Sequence, residues 1–197
     1  GYGTITDDVL TLSFASGTDG YSPVISMHAG KTYSISLDIR TAAADGTGCW
    51  VYADSNQTDK TWDCIFKGGV TTGAATIDKD GVITGIGTDW STASVVYTPT
   101  AEISYLRFTD WSSKGFQLKN FTITERLAED ITVAEGATLT NLPAVPEKTG
   151  YIGHWEIDGN AISSETVYNF GADKKAVPVY EKAYTLTYVA LPETSMI

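Results

Sequence analysis

The chain has 197 residues, a net charge of −11 and 42% apolar residues. That apolar content supports a real core and excludes a disordered chain, while the acidity excludes nucleic acid and anionic membrane surfaces, both of which need a basic patch. Two cysteines are too few for a disulfide framework or a cysteine zinc site, and this length suits one domain or two.

Strand formers with Gly, Thr and Ser dominate and no long segment sustains a helical period, so the predicted class is all-β. A first strand over 8–14 puts Leu10, Leu12 and Phe14 on one face. An extended run over 21–28 follows, with Pro23 marking an edge or a strand start. After the turn at Ala29-Gly30-Lys31, the stretch 33–41 alternates cleanly, Tyr33, Ile35, Leu37 and Ile39 against Ser34, Ser36, Asp38 and Arg40. The next strand, 49–54, has Cys49, Val51 and Ala53 inward and Trp50, Tyr52 and Asp54 outward. Beyond a polar loop, 62–66 is expected to pair back, with Trp62 in the core beside Cys64 and Phe66. That hairpin sets Cys49 opposite Cys64, which fits a disulfide or two buried thiols. Asp78-Lys79-Asp80-Gly81 reads as a tight turn within a Gly- and Thr-rich segment; the later ligands and closing Glu of a calcium loop are missing. Trp90 opens a segment leading to a strand ended by Pro99.

The stretch 103–125 reads as a hairpin. Tyr105, Arg107 and Thr109 alternate with Leu106 and Phe108, the turn carries Asp110-Trp111, and the second strand places Phe121 and Ile123 on an apolar face. An arginine and a tyrosine on an outward face that runs into an Asp-Trp pair suit the hydroxyls and apolar face of a sugar; a plain amphipathic hairpin is the other reading. Trp62-Asp63, Asp89-Trp90 and Asp110-Trp111 repeat that pairing. The candidate carbohydrate-binding residues are therefore Trp111, Arg107, Trp50, Tyr52, Arg40, Trp90, Asp110 and Tyr105. Aromatic faces would stack on pyranose C–H groups and the charged groups would satisfy hydroxyls that lose water. Their sharing one face assumes that the strands at 33–41, 49–54 and 105–109 are neighbours. His28 and His154 have no Ser, Cys or metal-ligand spacing around them. Carboxylates are so plentiful that a glycosidase pair could always be drawn. The expectation is a protein that is not an enzyme.

Composition shifts at Arg126. The tail from Leu127 has ten acidic residues against four lysines, −6, leaving −5 for the first part. Short strands and turns over 131–142 precede Pro143 and Pro146; 150–155 leads into a strand, Asp158-Gly159-Asn160 is a turn, 176–180 is a strand, and 184–188 alternates as one more. The expected domains are 1–126, 127–183, and 184–197 as the start of a further repeat or a tail. The abrupt start at Gly1 and stop at Ile197 read as a monomeric piece of a larger multidomain protein. No signal peptide, transmembrane run or lipidation motif is visible.

The motifs Ala29-Gly-Lys-Thr-Tyr-Ser-Ile-Ser-Leu37, Trp90-Ser91 before a strand, and Leu106-Arg107-Phe108 followed by Phe116-Gln-Leu-Lys-Asn-Phe-Thr-Ile123 make residues 1–126 resemble the jelly-roll carbohydrate-binding modules found beside glycoside hydrolases. The resemblance implies an antiparallel jelly-roll β-sandwich followed by a small C-terminal β-repeat domain. Lys119 stands where the family has an aspartate ahead of its last strand, which counts against a calcium site there. A structural calcium ion elsewhere is compatible with the resemblance, and no other cofactor is expected. Gly136, Leu139, Leu142-Pro143, Pro146, Lys148-Thr-Gly-Tyr151, Gly153, Trp155 and Ala176-Val-Pro-Val-Tyr180 resemble the short β-repeats that follow internalin domains in Gram-positive surface proteins, which implies a spacer or stalk. The expected function is non-catalytic polysaccharide or oligosaccharide binding, with α-glucan such as starch first and β-glucan or xylan next. It would anchor an extracellular or cell-surface bacterial protein to its substrate. A protein-binding adhesin module is the alternative.

Overall fold

The computed structural model describes residues 3–12, 19–41, 48–110 and 115–187, and the chain forms two compact units, Gly1–Arg126 and Leu127–Ile197. Every ladder is antiparallel, and no helix occurs among the described residues. In the first unit the strands are β1 (Gly3–Thr6), β2 (Val9–Leu12), β3 (Asp19–Tyr21), β4 (Thr32–Arg40), β5 (Trp50–Asp54), β6 (Val70–Thr72), β7 (Thr76–Ile77), β8 (Ile83–Thr84), β9 (Ser91–Tyr97), β10 (Tyr105–Thr109) and β11 (Phe116–Arg126). A six-stranded sheet has the order β1-β2-β11-β4-β9-β6, a three-stranded sheet the order β3-β10-β5, and β7 pairs with β8. Strands β2, β4, β9 and β11 alternate along the chain with β3, β5 and β10 of the other sheet. This is jelly-roll connectivity.

The sandwich follows from the period-two pattern. Ile35, Leu37 and Ile39 of β4, Ala93 and Val95 of β9, and Phe116 and Leu118 of β11 meet Val51 and Ala53 of β5 and Leu106 and Phe108 of β10 in one core. Each such large apolar side chain contributes about 1.5–3 kcal/mol on burial. Because both inner faces point at this core, the two outward faces lie on opposite sides of the sandwich.

That arrangement corrects the hairpin expected over 103–125. Strand β10 pairs with β3 and β5, whereas β11 pairs with β2 and β4. The chain therefore passes from one sheet to the other between β10 and β11, so that Leu106 and Phe108 face Phe116 and Leu118 across the core. Strand β11 also carries a bulge between Lys119 and Thr122. Asn120 takes a positive φ of 50° there and donates from Nδ2 to Asp38 Oδ2 at 2.7 Å. The extra residue turns Phe121 partly outward, with its ring edge-on to Phe108 at 6.3 Å.

Other expectations change as well. The run 21–28 is largely irregular beyond β3, with Met27 bridged to Ile103, and Phe14 lies outside the described residues. Residues 62–66 do not form a strand: Cys64 makes a single bridge to Tyr52, while Cys49 faces Ile83. With different partners, both cysteines are free and buried. The turn at 78–81 does form, joining β7 and β8, with Asp78 Oδ1 accepting from the backbone of Asp80 and Val82, each at 2.9 Å.

The second unit has β12 (Tyr151–Ile157), β13 (Asn160–Ile162) and β14 (Val177–Lys182) in the order β13-β12-β14. Leu139, Trp155, Ile157 and Ile162 form its small core, and Trp155 Nε1 donates to the Pro143 carbonyl at 2.7 Å. The expected short strands over 131–142 reduce to a bridge between Thr138 and Val167. The stretch 184–187 forms no strand, and Tyr184 and Leu186 are exposed.

Two glycines separate backbone strain from crowding. Gly81 and Gly30 both have positive φ, 84° and 75°, but a Cβ on Gly81 would lie 2.6 Å from the Lys67 amide nitrogen, and one on Gly30 would meet nothing within 4 Å. Gly30→Ala is expected to cost about 1 kcal/mol, the backbone term alone. Gly81→Ala should cost about 2 kcal/mol more through overpacking. Urea unfolding of the two variants measures the difference.

Candidate functional site on the three-stranded sheet

The register of β3, β10 and β5 fixes which side chains share an outward face. Arg107 stands between Tyr21 and Tyr52, Tyr105 opposite Asp54, and Thr109 between Asp19 and Trp50. The strands at 49–54 and 105–109 are thus neighbours, as the candidate site requires. The strand at 33–41 is not: Arg40 belongs to β4 in the other sheet, on the far side of the sandwich, so it cannot act with these residues on one ligand. Trp111 lies outside the described residues.

Arg107 differs most from expectation. It points outward from β10, yet 0% of its surface is exposed, because the loop 55–62 folds over it. Its Nε donates to Asp54 Oδ2 at 2.7 Å, one terminal nitrogen reaches Asp19 Oδ1 at 3.4 Å, and the other donates to the Thr61 carbonyl. The Tyr52 ring lies 4.2 Å from the guanidinium carbon and the Trp62 ring 5.0 Å. Burial works against the charged guanidinium, but Asp54 and then Asp19 outweigh it and hold the pKa above the ordinary arginine value. With each nitrogen paired and the Tyr52 and Trp62 rings against it, Arg107 ties β3, β5 and the loop together and presents no surface to solvent.

The network continues outward. Asp54 Oδ1 accepts from the Thr61 amide at 2.8 Å and the Thr61 hydroxyl at 2.9 Å, so both its oxygens are occupied. Lys60 reaches Asp19 at 2.6 Å. Two carboxylates and two cations balance, leaving the centre of the face neutral. Asn56 shapes the loop above it, its side-chain oxygen accepting from the Thr58 and Asp59 amides at 2.8 and 2.7 Å. Tyr21 donates its hydroxyl to the Gln57 carbonyl at 3.3 Å.

Trp62 ends this loop. The sequence placed it in the core; 67% of it is exposed, with its ring edge-on to Tyr52 at 5.8 Å. Its inner side rests on Arg107 and Tyr52, so the broad face of an indole is held out to water on a buried support. Tyr21 and Tyr105, half-buried and edge-on to each other at 6.1 Å, supply further rings on the same sheet face. Trp50 is half-buried against the Tyr52, Cys64 and Val82 cluster, and its ring is packed over Gly48, where an added Cβ would come within 2.9 Å. Asp110 is fully buried and accepts from the Gly115 amide at 2.8 Å, which ties the end of β10 to the start of β11. Trp90 sits half-buried on the opposite face of the sandwich, between Arg40 and Lys119. Among the described residues, no group of three or more His, Cys, Asp and Glu side chains gathers to hold a metal ion.

The signal that could have found Trp62 is the polar run Ser55 to Thr61 before it. Such a run favours a loop, and a loop places a tryptophan without regard to strand alternation.

No protein-family model matches the chain, and no curated protein matches it. Among solved structures, one described as "CBM4 structure and function" is similar at a TM-score of 0.42 and 15% identity, over 63% of this chain and 75% of its own.

Breaking a buried ion pair by removing one partner costs about 3–5 kcal/mol, because the other charge is left uncompensated. Arg107→Met is expected to lose stability of that order in denaturant unfolding, whereas Arg40→Met, on an accessible face, should change it by less than about 1 kcal/mol. A second test uses Tyr52, whose phenol is pushed above the ordinary value of 10.0 by burial and then by the neighbouring Cys64 thiol. The folded state then holds its proton at pH values where the unfolded chain has released it. Stability therefore falls as pH rises past about 10. The alkaline fall in melting temperature should be shallower in Tyr52→Phe.

Proposed function

We propose that the first unit binds neutral polysaccharide without catalysis, through the outward face of the three-stranded sheet, with Trp62 as the stacking platform. The observation that carries this reading is the exposed indole face of Trp62 held on a buried, neutralised support. Stacking on the C–H face of a pyranose contributes about 1–3 kcal/mol per ring. A platform fixed in advance loses little freedom on binding. Tyr21 and Tyr105 would extend the contact along the sheet, and exposed Lys60 and the loop 55–60 would meet hydroxyls at its edge. The carboxylates Asp54 and Asp19 are tied to Thr61, Arg107 and Lys60, which leaves neither placed as an acid or a nucleophile and supports binding over hydrolysis.

A single projecting platform suits a curved chain or chain end better than a flat ribbon, so α-glucan such as starch stands first among ligands, then β-glucan or xylan. The second unit, with its small core and resemblance to surface repeats, fits a spacer in an extracellular or cell-surface protein that the first unit would anchor to its substrate. A protein-binding adhesin remains the second reading, since exposed aromatics also form protein hot spots.

Sedimentation with insoluble starch, cellulose and xylan tests this. Wild type should be retained on at least one of them, and Trp62→Ala should weaken retention about tenfold or more while costing only about 1 kcal/mol of stability from the lost contact with Arg107 and Tyr52, so that the protein stays folded at the assay temperature. Trp50→Ala should act mainly on stability. Retention on no glycan would remove the proposal, and retention indifferent to Trp62→Ala would remove this site.

A further inference from the structure

We propose that the outward face of the six-stranded sheet carries a separate site for a carboxylate-bearing sugar, a uronate, held by Arg40 and Lys119 beside Trp90. The saccharide part of this rests on the reading above; the anion part rests on geometry. Asp38 and Arg40 project from β4, Gln117 and Lys119 from β11, and Thr92 from β9, with Trp90 entering the face just before β9. The Arg40 guanidinium carbon lies 4.5 Å from the Trp90 ring centroid and the Lys119 ammonium 4.3 Å. Two like charges repel; here both approach the π-system of one indole, which offsets part of that repulsion.

Neither cation has a carboxylate partner among the described residues. Among the described residues Lys67, Lys148, Lys175 and Lys182 also form no ion pair, but those four are exposed to water, whereas Arg40 and Lys119 are half-buried. Elsewhere in the same unit Lys31 pairs with Glu125, Lys60 with Asp19, Lys79 with Asp80, and Arg107 with Asp19 and Asp54. Arg40 uses its Nε on Gln117 at 2.7 Å, and its terminal nitrogens make no hydrogen bond among the described residues. Asp38 stands directly across from Lys119 in register, but its two oxygens are held by Thr92 at 2.6 Å and Asn120 at 2.7 Å. Two cations thus share one ring, and among the described residues neither is in direct contact with a carboxylate, Asp38 being turned to Thr92 and Asn120; an incoming carboxylate could contact both.

The surroundings select the class of anion. Asp38, the exposed Asp89 beside Trp90 in sequence, and the net charge of −11 disfavour a densely charged ligand such as an acidic peptide. A uronan carries one carboxylate per ring, and its hydroxyls can meet Gln117 and the cation donors left over.

The test is affinity electrophoresis of the full chain through gels containing polygalacturonate, its methyl-esterified form, or poly-glutamate. Polygalacturonate should retard wild type and Trp62→Ala equally. The Arg40→Gln/Lys119→Gln double variant should lose about tenfold or more in affinity, and the charge-conserving Arg40→Lys/Lys119→Arg variant should keep most of it. The methyl ester, with the same rings and no charge, should retard wild type far less. No retardation by polygalacturonate would overturn the proposal, as would a double variant that melts like wild type and binds equally well. Equal retardation by poly-glutamate would overturn the sugar assignment. Loss of uronan binding in Trp62→Ala with none in the double variant would place it at the other face.

Discussion

A guanidinium with no surface in water must find a partner for each nitrogen, and Arg107 does so with Asp54, Asp19 and the Thr61 carbonyl. Three separate parts of the chain converge for this: β3, β5 and the loop that follows β5. Unpaired, either carboxylate or the arginine would carry a desolvation cost of several kcal/mol, so the loop is held down wherever the network is intact. The rings of Tyr52 and Trp62 then close over the guanidinium. One charge therefore fixes the edge of the small sheet, the path of the loop and the position of the exposed indole. The chemistry of the face is neutral and apolar although four ionised groups lie in or beneath it.

Much of the scaffold was legible because its environment has a period of two. Strand β4 alternates buried and half-buried over its whole length, as its sequence does, and β5 and β10 sort their inward sets the same way. The crossing between β10 and β11 was not legible. Two amphipathic strands joined by a short polar turn look the same whether they pair with each other or face each other across a core. The difference lies in which other strands offer free edges.

The candidate site was legible in outline and misread in detail. Tyr52, Tyr105 and Arg107 do share an outward face, but outward is not the same as exposed. The cover over Arg107 comes from a loop 46 residues earlier in the chain, and no local pattern reports it. Trp62 was misplaced for the converse reason, since strand alternation was extended into a segment that makes only one bridge. Arg40 shares the alternation of Arg107 but sits in the opposite sheet, and its solvent face gave it Trp90 and Lys119 as neighbours instead.

The most direct measurement is an NMR titration of the purified chain with soluble malto-, cello- and xylo-oligosaccharides, following the indole N–H and aromatic ring resonances. Binding on the three-stranded sheet requires that the Trp62 indole and the Tyr21 and Tyr105 rings shift in a saturable way with at least one of the series, while Trp155, in the core of the second unit, stays in place. Saturable shifts elsewhere with Trp62 unmoved would contradict it.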